Sequence, residues 1–227
     1  MPTIHINEQT FHYRTAGDPS APPVVLLHAL GQNASSWDGV AAALSDEFYV
    51  IALDQRGHGE SSHADEYSFQ KMQADVFAFV SHLKLERFIL IGHSMGGTVA
   101  YLFAQQHPHM VERLVIEDTP VPTKPSKPIN IPTSPPDEPL PFDWRVIPQI
   151  LQQLNEPDPE WWGNLSRLTM PTLIIGGGET SHVATSQLHD TAGQMPNCEI
   201  VTVEEAGHHV HAQHPTAFLA HVKPFLS

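Results

Sequence analysis

Gly92-His93-Ser94-Met95-Gly96 sets a serine between two glycines where an apolar run meets a helical one. Arg87-Phe88-Ile89-Leu90-Ile91 before it reads as a buried strand, and Gly97-Thr98-Val99-Ala100-Tyr101-Leu102-Phe103-Ala104 after it reads as a helix. A strand that turns into a helix so abruptly strains the serine backbone and leaves room only for glycine beside it. The hydroxyl stands clear of the sheet, facing the positive end of the new helix. Such a serine is a nucleophile once a base removes its proton.

Histidine is the usual base, because its pKa lies near neutrality. Ile200-Val201-Thr202-Val203 reads as the last strand, and Glu204-Glu205-Ala206-Gly207 leads from it to His208 and His209. A loop histidine in that place can reach across to Ser94. The base needs a carboxylate to fix its tautomer and stabilise the imidazolium. Two candidates stand at strand ends, Asp118 after Leu114-Val115-Ile116-Glu117 and Glu179 after the Leu173–Gly178 run. Both keep the chain order serine, acid, histidine. Acyl transfer places charge on a carbonyl oxygen, which calls for backbone donors. Met95 supplies one N–H, and Leu30, in the loop Leu27-His28-Ala29-Leu30-Gly31, supplies the second. His28 itself reads as a loop-fixing residue.

The elements that must hold these residues alternate along the chain. Strands are expected at 10–14, 24–28, 48–53, 88–91, 111–116, 172–175 and 199–203. Helices are expected at 36–44, 68–83, 95–106, 186–193 and 215–226. Apolar strands alternating with helices imply an α/β protein with a mostly parallel sheet covered on both faces. Functional loops then gather at the carboxyl ends of the strands. Twelve of the 21 prolines fall between Pro120 and Pro159, and proline neither continues a helix nor donates to a sheet ladder. Residues 119–168 therefore read as a Pro-rich cap inserted into a core of residues 1–118 and 169–227, with disorder as the competing reading for 119–141. Short helices are expected there over 144–154 and 160–168, with Trp161 and Trp162 read as packing within the cap or, alternatively, as walls of an acyl pocket.

Composition narrows the partners. The net charge of −14 argues against nucleic acid and anionic membrane surfaces, and disfavours highly anionic substrates. No apolar run reaches the ~18 residues of a membrane span. The start of the sequence lacks the pattern of a secretory signal, which points to the cytoplasm. The single cysteine, Cys198, excludes an internal disulfide and reads as a buried structural thiol. Sixteen histidines are many, and four crowd together at His208, His209, His211 and His214. No cysteine or paired-carboxylate spacing supports a zinc site among them. Gly176-Gly177-Gly178 lacks the spacing of a dinucleotide loop. No metal and no cofactor is expected, and a monomer or weak homodimer fits.

In its motifs the chain resembles the α/β-hydrolase family over nearly its whole length. The motifs are Leu26-Leu27-His28-Ala29-Leu30-Gly31, Asp54-Gln55-Arg56-Gly57-His58-Gly59-Glu60-Ser61, Gly92-His93-Ser94-Met95-Gly96-Gly97, Met170-Pro171-Thr172-Leu173-Ile174-Ile175 and Ala206-Gly207-His208. The resemblance implies Ser94 as nucleophile, His208 rather than His209 as base, and Asp54, Arg56 and His58 as loop organisers. Two departures stand out. Many relatives carry glycine at the position of Ala29. The usual acid of the family follows the seventh strand, where this chain has Thr180 with Glu179 one residue early. Some relatives carry the acid after the sixth strand instead, and Asp118 matches that arrangement.

A serine nucleophile sets the chain apart from relatives whose aspartate forms an alkyl ester, and makes acyl transfer the default. The leading expectation is a carboxylesterase for small uncharged esters. Thioesters, lactones, C–C bonds and peroxide chemistry would use the same residues. A lyase or synthase that uses the serine and histidine as a proton shuttle, or a ligand receptor, are the other classes.

Overall fold

A computed structural model describes residues 2–6 and 8–227. Its eight strands are β1 (Thr3–Ile6), β2 (Gln9–Ala16), β3 (Pro23–Leu27), β4 (Tyr49–Leu53), β5 (Phe88–His93), β6 (Val111–Glu117), β7 (Thr172–Gly176) and β8 (Cys198–Thr202). They form one sheet in the order β1-β2-β4-β3-β5-β6-β7-β8. β1 and β2 are antiparallel, β2 joins β4 antiparallel, and every later pairing is parallel. The first of these strands, β1, was not legible in the sequence. It is short, alternates exposed with half-buried residues, and covers an edge of the sheet.

The central strands are apolar on both faces, and their side chains sort by parity. Val25, Leu27, Ile51, Leu53, Phe88 and Leu90 enter one core, whereas Val24, Leu26, Val50, Ala52, Ile89 and Ile91 enter the other. A period of two with both faces buried gives the uninterrupted apolar runs seen in the sequence. The first core lies under α2 (Phe69–His82) and α3 (Met95–Gln106), the second under α1 (Asp38–Leu44) and the helix Pro215–Leu226. Each fully buried Val, Leu or Ile side chain contributes about 1.5–3 kcal/mol relative to exposure. Ser68 starts α2 by accepting the N–H of Lys71, and the apolar face Met72, Val76, Phe79 and Val80 is buried.

Residues between β6 and β7 form no strand. They hold α4 (Val146–Asn155) and α5 (Pro159–Gly163), followed by one 3₁₀ turn at Leu165–Arg167. The stretch before α4 is irregular, as its prolines require. This segment has no core of its own, for Val121, Val146, Ile150, Trp161 and Leu165 join the first core. Polar clasps hold it down. Tyr67 donates its hydroxyl to Asp143 at 2.7 Å, Tyr67 N donates to Gln149 Oε1 at 2.8 Å, and Phe69 N donates to Gln153 Oε1 at 3.0 Å. Burial opposes ionisation of Asp143, but hydrogen bonds from Arg145 and Tyr67 lower its pKa to about 2.

Candidate active site

The sheet's strand order reverses at β3, which lies between β4 and β5. Loops leaving β3 and β5 in the same direction are neighbours there, so a crevice forms at their carboxyl ends. Ser94 tops the turn between β5 and α3 with φ 52° and ψ −117°, a conformation costing a non-glycine residue roughly 1–3 kcal/mol. A methyl at Gly92 would strike the carbonyl of Gly96, and one at Gly96 would strike the carbonyls of Leu27 and His28. Close approach of backbone, rather than a left-handed φ, demands both glycines.

Asp118 follows β6 and is itself left-handed, at φ 44°. Its side chain is fully buried. Oδ2 accepts Nδ1–H of His208 at 2.7 Å and the hydroxyl of Ser181 at 2.5 Å, and Oδ1 accepts the N–H of Gly177 at 2.9 Å. Burial works against its charge, yet these donors outweigh burial and hold its pKa below the ordinary carboxylate value. Glu179 lies one turn away and is exposed. Of the two candidate carboxylates, the structure brings Asp118 to the imidazole and leaves Glu179 in solvent. Ser94, Asp118 and His208 line one cavity together with Leu30 and Met95. No hydrogen bond joins Ser94 Oγ to His208 among the described residues; catalytic hydrogen bonds of this kind often tighten only when substrate arrives.

The N–H groups of Leu30 and Met95 donate to no protein acceptor among the described residues. Gly96 N donates to the carbonyl of His28 at 3.2 Å and ties their two loops together. The loop after β3 is fixed further by neutral histidines. His28 donates Nδ1–H to the carbonyl of Ala29 at 2.8 Å and accepts Gln55 N–H at Nε2 at 3.0 Å. His58 donates Nδ1–H to the carbonyl of Arg56 and accepts Gly31 N–H at 3.2 Å. Burial drives the pKa of His28 down to about 4, and burial with the neighbouring His28 drives that of His58 to about 3. Asp54 accepts from Ala34 N, His12 Nδ1 and Glu60 N, and Arg56 forks onto Asp75.

The cavity measures about 260 Å³. Apolar residues dominate its wall, among them Phe69, Val121, Ile129, Ile150 and Leu154, and no Lys or Arg lines it. Trp161 and Trp162 are not among its walls. Trp161 packs edge-on against Phe69 at 5.5 Å, inside the core, and Trp162 packs beside it. Of the two readings of this pair, packing is the one observed, since the short α5 sets Trp161 against Phe69 of α2. Cys198 is only half-buried, and burial pushes its thiol up to about 12.

The histidine-rich segment does not assemble as a unit. His208 goes to Asp118, His209 accepts from Gln32 Nε2 at 3.2 Å, His211 goes to Glu117, and His214 is exposed. Three residues at the site were given no role of their own in the sequence reading, although they lie in a stretch, Gly177–Val183, that resembles relatives with the acid after the sixth strand. Ser181 donates to Asp118, His182 places its ring 4.2 Å from that of His208, and Gly177 bridges Asp118 and Gly207. Gly177 could have been found, since three successive glycines beside a strand end invite close backbone approach.

The sequence model for the alpha/beta hydrolase fold matches residues 22–155. An sn-1-specific diacylglycerol lipase of Mus musculus is 30% identical over 93% of this chain and 83% of its own. A Haemophilus influenzae protein named for esterase/lipase activity is 28% identical over 92% of this chain and 84% of its own. Among solved structures, a hydrolase from Pseudomonas aeruginosa superposes with a TM-score of 0.88 at 24% identity, covering 100% of this chain and 98% of its own. The chain belongs to the α/β-hydrolase fold family.

Proposed function

We propose that this protein is a serine hydrolase of small, uncharged carboxylic esters. The observation that carries the reading is one cavity that joins Ser94 at a strained turn, an imidazole bonded to a buried carboxylate, and two unoccupied backbone N–H groups. Ser94 Oγ attacks the ester carbonyl while its proton passes to His208 Nε2. The carbonyl oxygen becomes an oxyanion and is met by the N–H groups of Leu30 and Met95 at the positive end of α3. The tetrahedral adduct collapses, the C–O bond to the alcohol breaks, and the leaving oxygen takes the proton from His208. A water then attacks the acyl-enzyme with His208 again as base, and the carboxylic acid leaves. Asp118 holds His208 in the tautomer that keeps Nε2 free to accept.

Esterase and lipase names among the relatives support ester hydrolysis as the class. An apolar wall without cations favours an uncharged acyl group. The segment 119–168 acts as the lid, because it supplies Val121, Ile129, Ile150 and Leu154 to that wall.

The test is turnover of p-nitrophenyl acetate, butyrate and octanoate, with a diacylglycerol as a further substrate. Wild type is expected to turn over the short esters and to be labelled at Ser94 by a fluorophosphonate. Ser94→Ala is expected to lose both. A folded wild type that hydrolyses none of these esters overturns the reading.

A further inference from the structure

Behind Asp118 lies a second buried carboxylate that acyl transfer leaves without a task. Glu117, the last residue of β6, has no exposed surface. It accepts Nδ1–H of His211 at 2.6 Å and the backbone N–H of the same residue at 2.9 Å. Glu117 and Asp118 are therefore consecutive carboxylates that grip one short segment at two points, His211 and His208. Trp37 stacks on His211 with ring centroids 4.0 Å apart and closes the pair from solvent. Burial opposes the charge on Glu117, but the nearby His93 and the bonds from His211 keep its pKa below the ordinary value.

A third hold comes from the elbow itself. His93, the residue before the nucleophile, is fully buried and donates Nε2–H to the backbone carbonyl of His208 at 2.7 Å. Among the described residues its Nδ1 has no partner, and this carbonyl is the one hydrogen bond that its ring makes. His208 sits in a turn outside any strand ladder. Its backbone is held by such contacts, together with Gly207 N–H donating to the carbonyl of Gly177 at 2.9 Å. A buried ion pair adds little net stability compared with apolar residues of the same volume. What it can supply is a fixed position for the loop.

We propose that His93, Glu117 and His211 are positioning residues that lock the backbone of the base loop, so that His208 meets Asp118 on one side and Ser94 on the other. This rests on the acyl-transfer reading above. A displacement of about 1 Å at a reacting group can cost on the order of 100-fold in rate, and outer-shell partners of a ligating or catalytic histidine commonly carry roughly 10–100-fold.

The experiment compares His93→Leu with His93→Gln, and adds Glu117→Gln. Glutamine retains an N–H donor at similar reach, whereas leucine fills the space without one. His93→Leu is expected to lose roughly 30- to 100-fold in kcat toward p-nitrophenyl butyrate with KM nearly unchanged, and His93→Gln to stay within about fivefold of wild type. Glu117→Gln turns one amide N–H toward a donor of His211 and is expected to lose about tenfold in kcat. Should His93→Leu not fold, Glu117→Gln carries the comparison.

Proton NMR supplies a readout independent of turnover. Two downfield imidazole N–H resonances are expected, one for His208–Asp118 and one for His211–Glu117. Ser94→Ala keeps both, and His93→Leu loses the first to solvent exchange. If wild type hydrolyses no ester, the acyl-transfer reading fails and the resonances alone decide this one. Equal rates and resonances in folded His93→Leu and wild type would overturn the proposal. So would equal impairment in leucine and glutamine variants, or one tightly held metal ion per chain in metal analysis, which would make the cluster a metal site.

Discussion

Asp118→Asn tests the proposed site most sharply, because the structure dictates which way the amide must lie. Oδ1 of Asp118 accepts the N–H of Gly177, a buried donor, so the asparagine oxygen stays there. Turning the amide nitrogen to Gly177 would set two donors against each other, at about 1–3 kcal/mol. The NH₂ group therefore takes the place of Oδ2, facing His208 Nδ1 and Ser181 Oγ. Ser181 can reverse its hydroxyl and accept. His208 can adjust only by making Nδ1 the acceptor, which puts its proton on Nε2, where a base must be bare. The fold survives while the tautomer is wrong. The resulting loss is expected at about 10³- to 10⁴-fold in kcat, equal to roughly 4–5.5 kcal/mol of transition-state stabilisation. The assay is p-nitrophenyl butyrate hydrolysis beside Glu179→Gln, whose side chain is exposed and whose loss is expected to leave the rate within twofold of wild type. Melting temperature and circular dichroism confirm folding. Asp118→Asn with more than a tenth of wild-type kcat, or a dead Glu179→Gln, would refute the reasoning.

Further expectations follow from the same geometry. Ser181→Ala removes one donor from Asp118 while leaving two, and is expected to lower kcat by about tenfold or less, read in the same assay. Gly96→Ala forces a methyl against the carbonyls of Leu27 and His28, so thermal unfolding should show a loss of about 1–3 kcal/mol. Leu154→Trp fills part of the cavity wall and is expected to depress octanoate turnover more than acetate turnover. Asp143, with its pKa held near 2, stabilises the fold above its unfolded value of 3.8, and that contribution fades as pH falls toward about 2. Its partner Arg145 is half-exposed, which limits the effect to about 1–2 kcal/mol. Denaturant titrations at pH 4 and pH 2 should differ less in Asp143→Asn than in wild type.

The frame of the fold was legible from residue order alone. Short apolar runs such as Val24–Leu27 and Phe88–Ile91, alternating with helical segments, fit strands buried on both faces, so a covered parallel sheet followed from them. Gly92 and Gly96 announced the elbow, because their lack of a side chain is a local requirement of the turn. The proline run predicted an irregular insertion for the same local reason.

Tertiary structure decided what depends on residues far apart in the chain. Chain order alone left Asp118 and Glu179 both open and the family resemblance favoured Asp118; only the packing of β6 beside β7 and the loop holding His208 shows which one faces the imidazole. Trp161 and Trp162 could have faced the cavity or the core, since five residues of helix carry too little pattern to fix an orientation. Ser181, Glu117 and His93 are bound to partners 63, 94 and 115 residues away. Local spacing holds no record of such pairs, because a hydrogen bond between distant residues exists only after the chain has closed the loops between them.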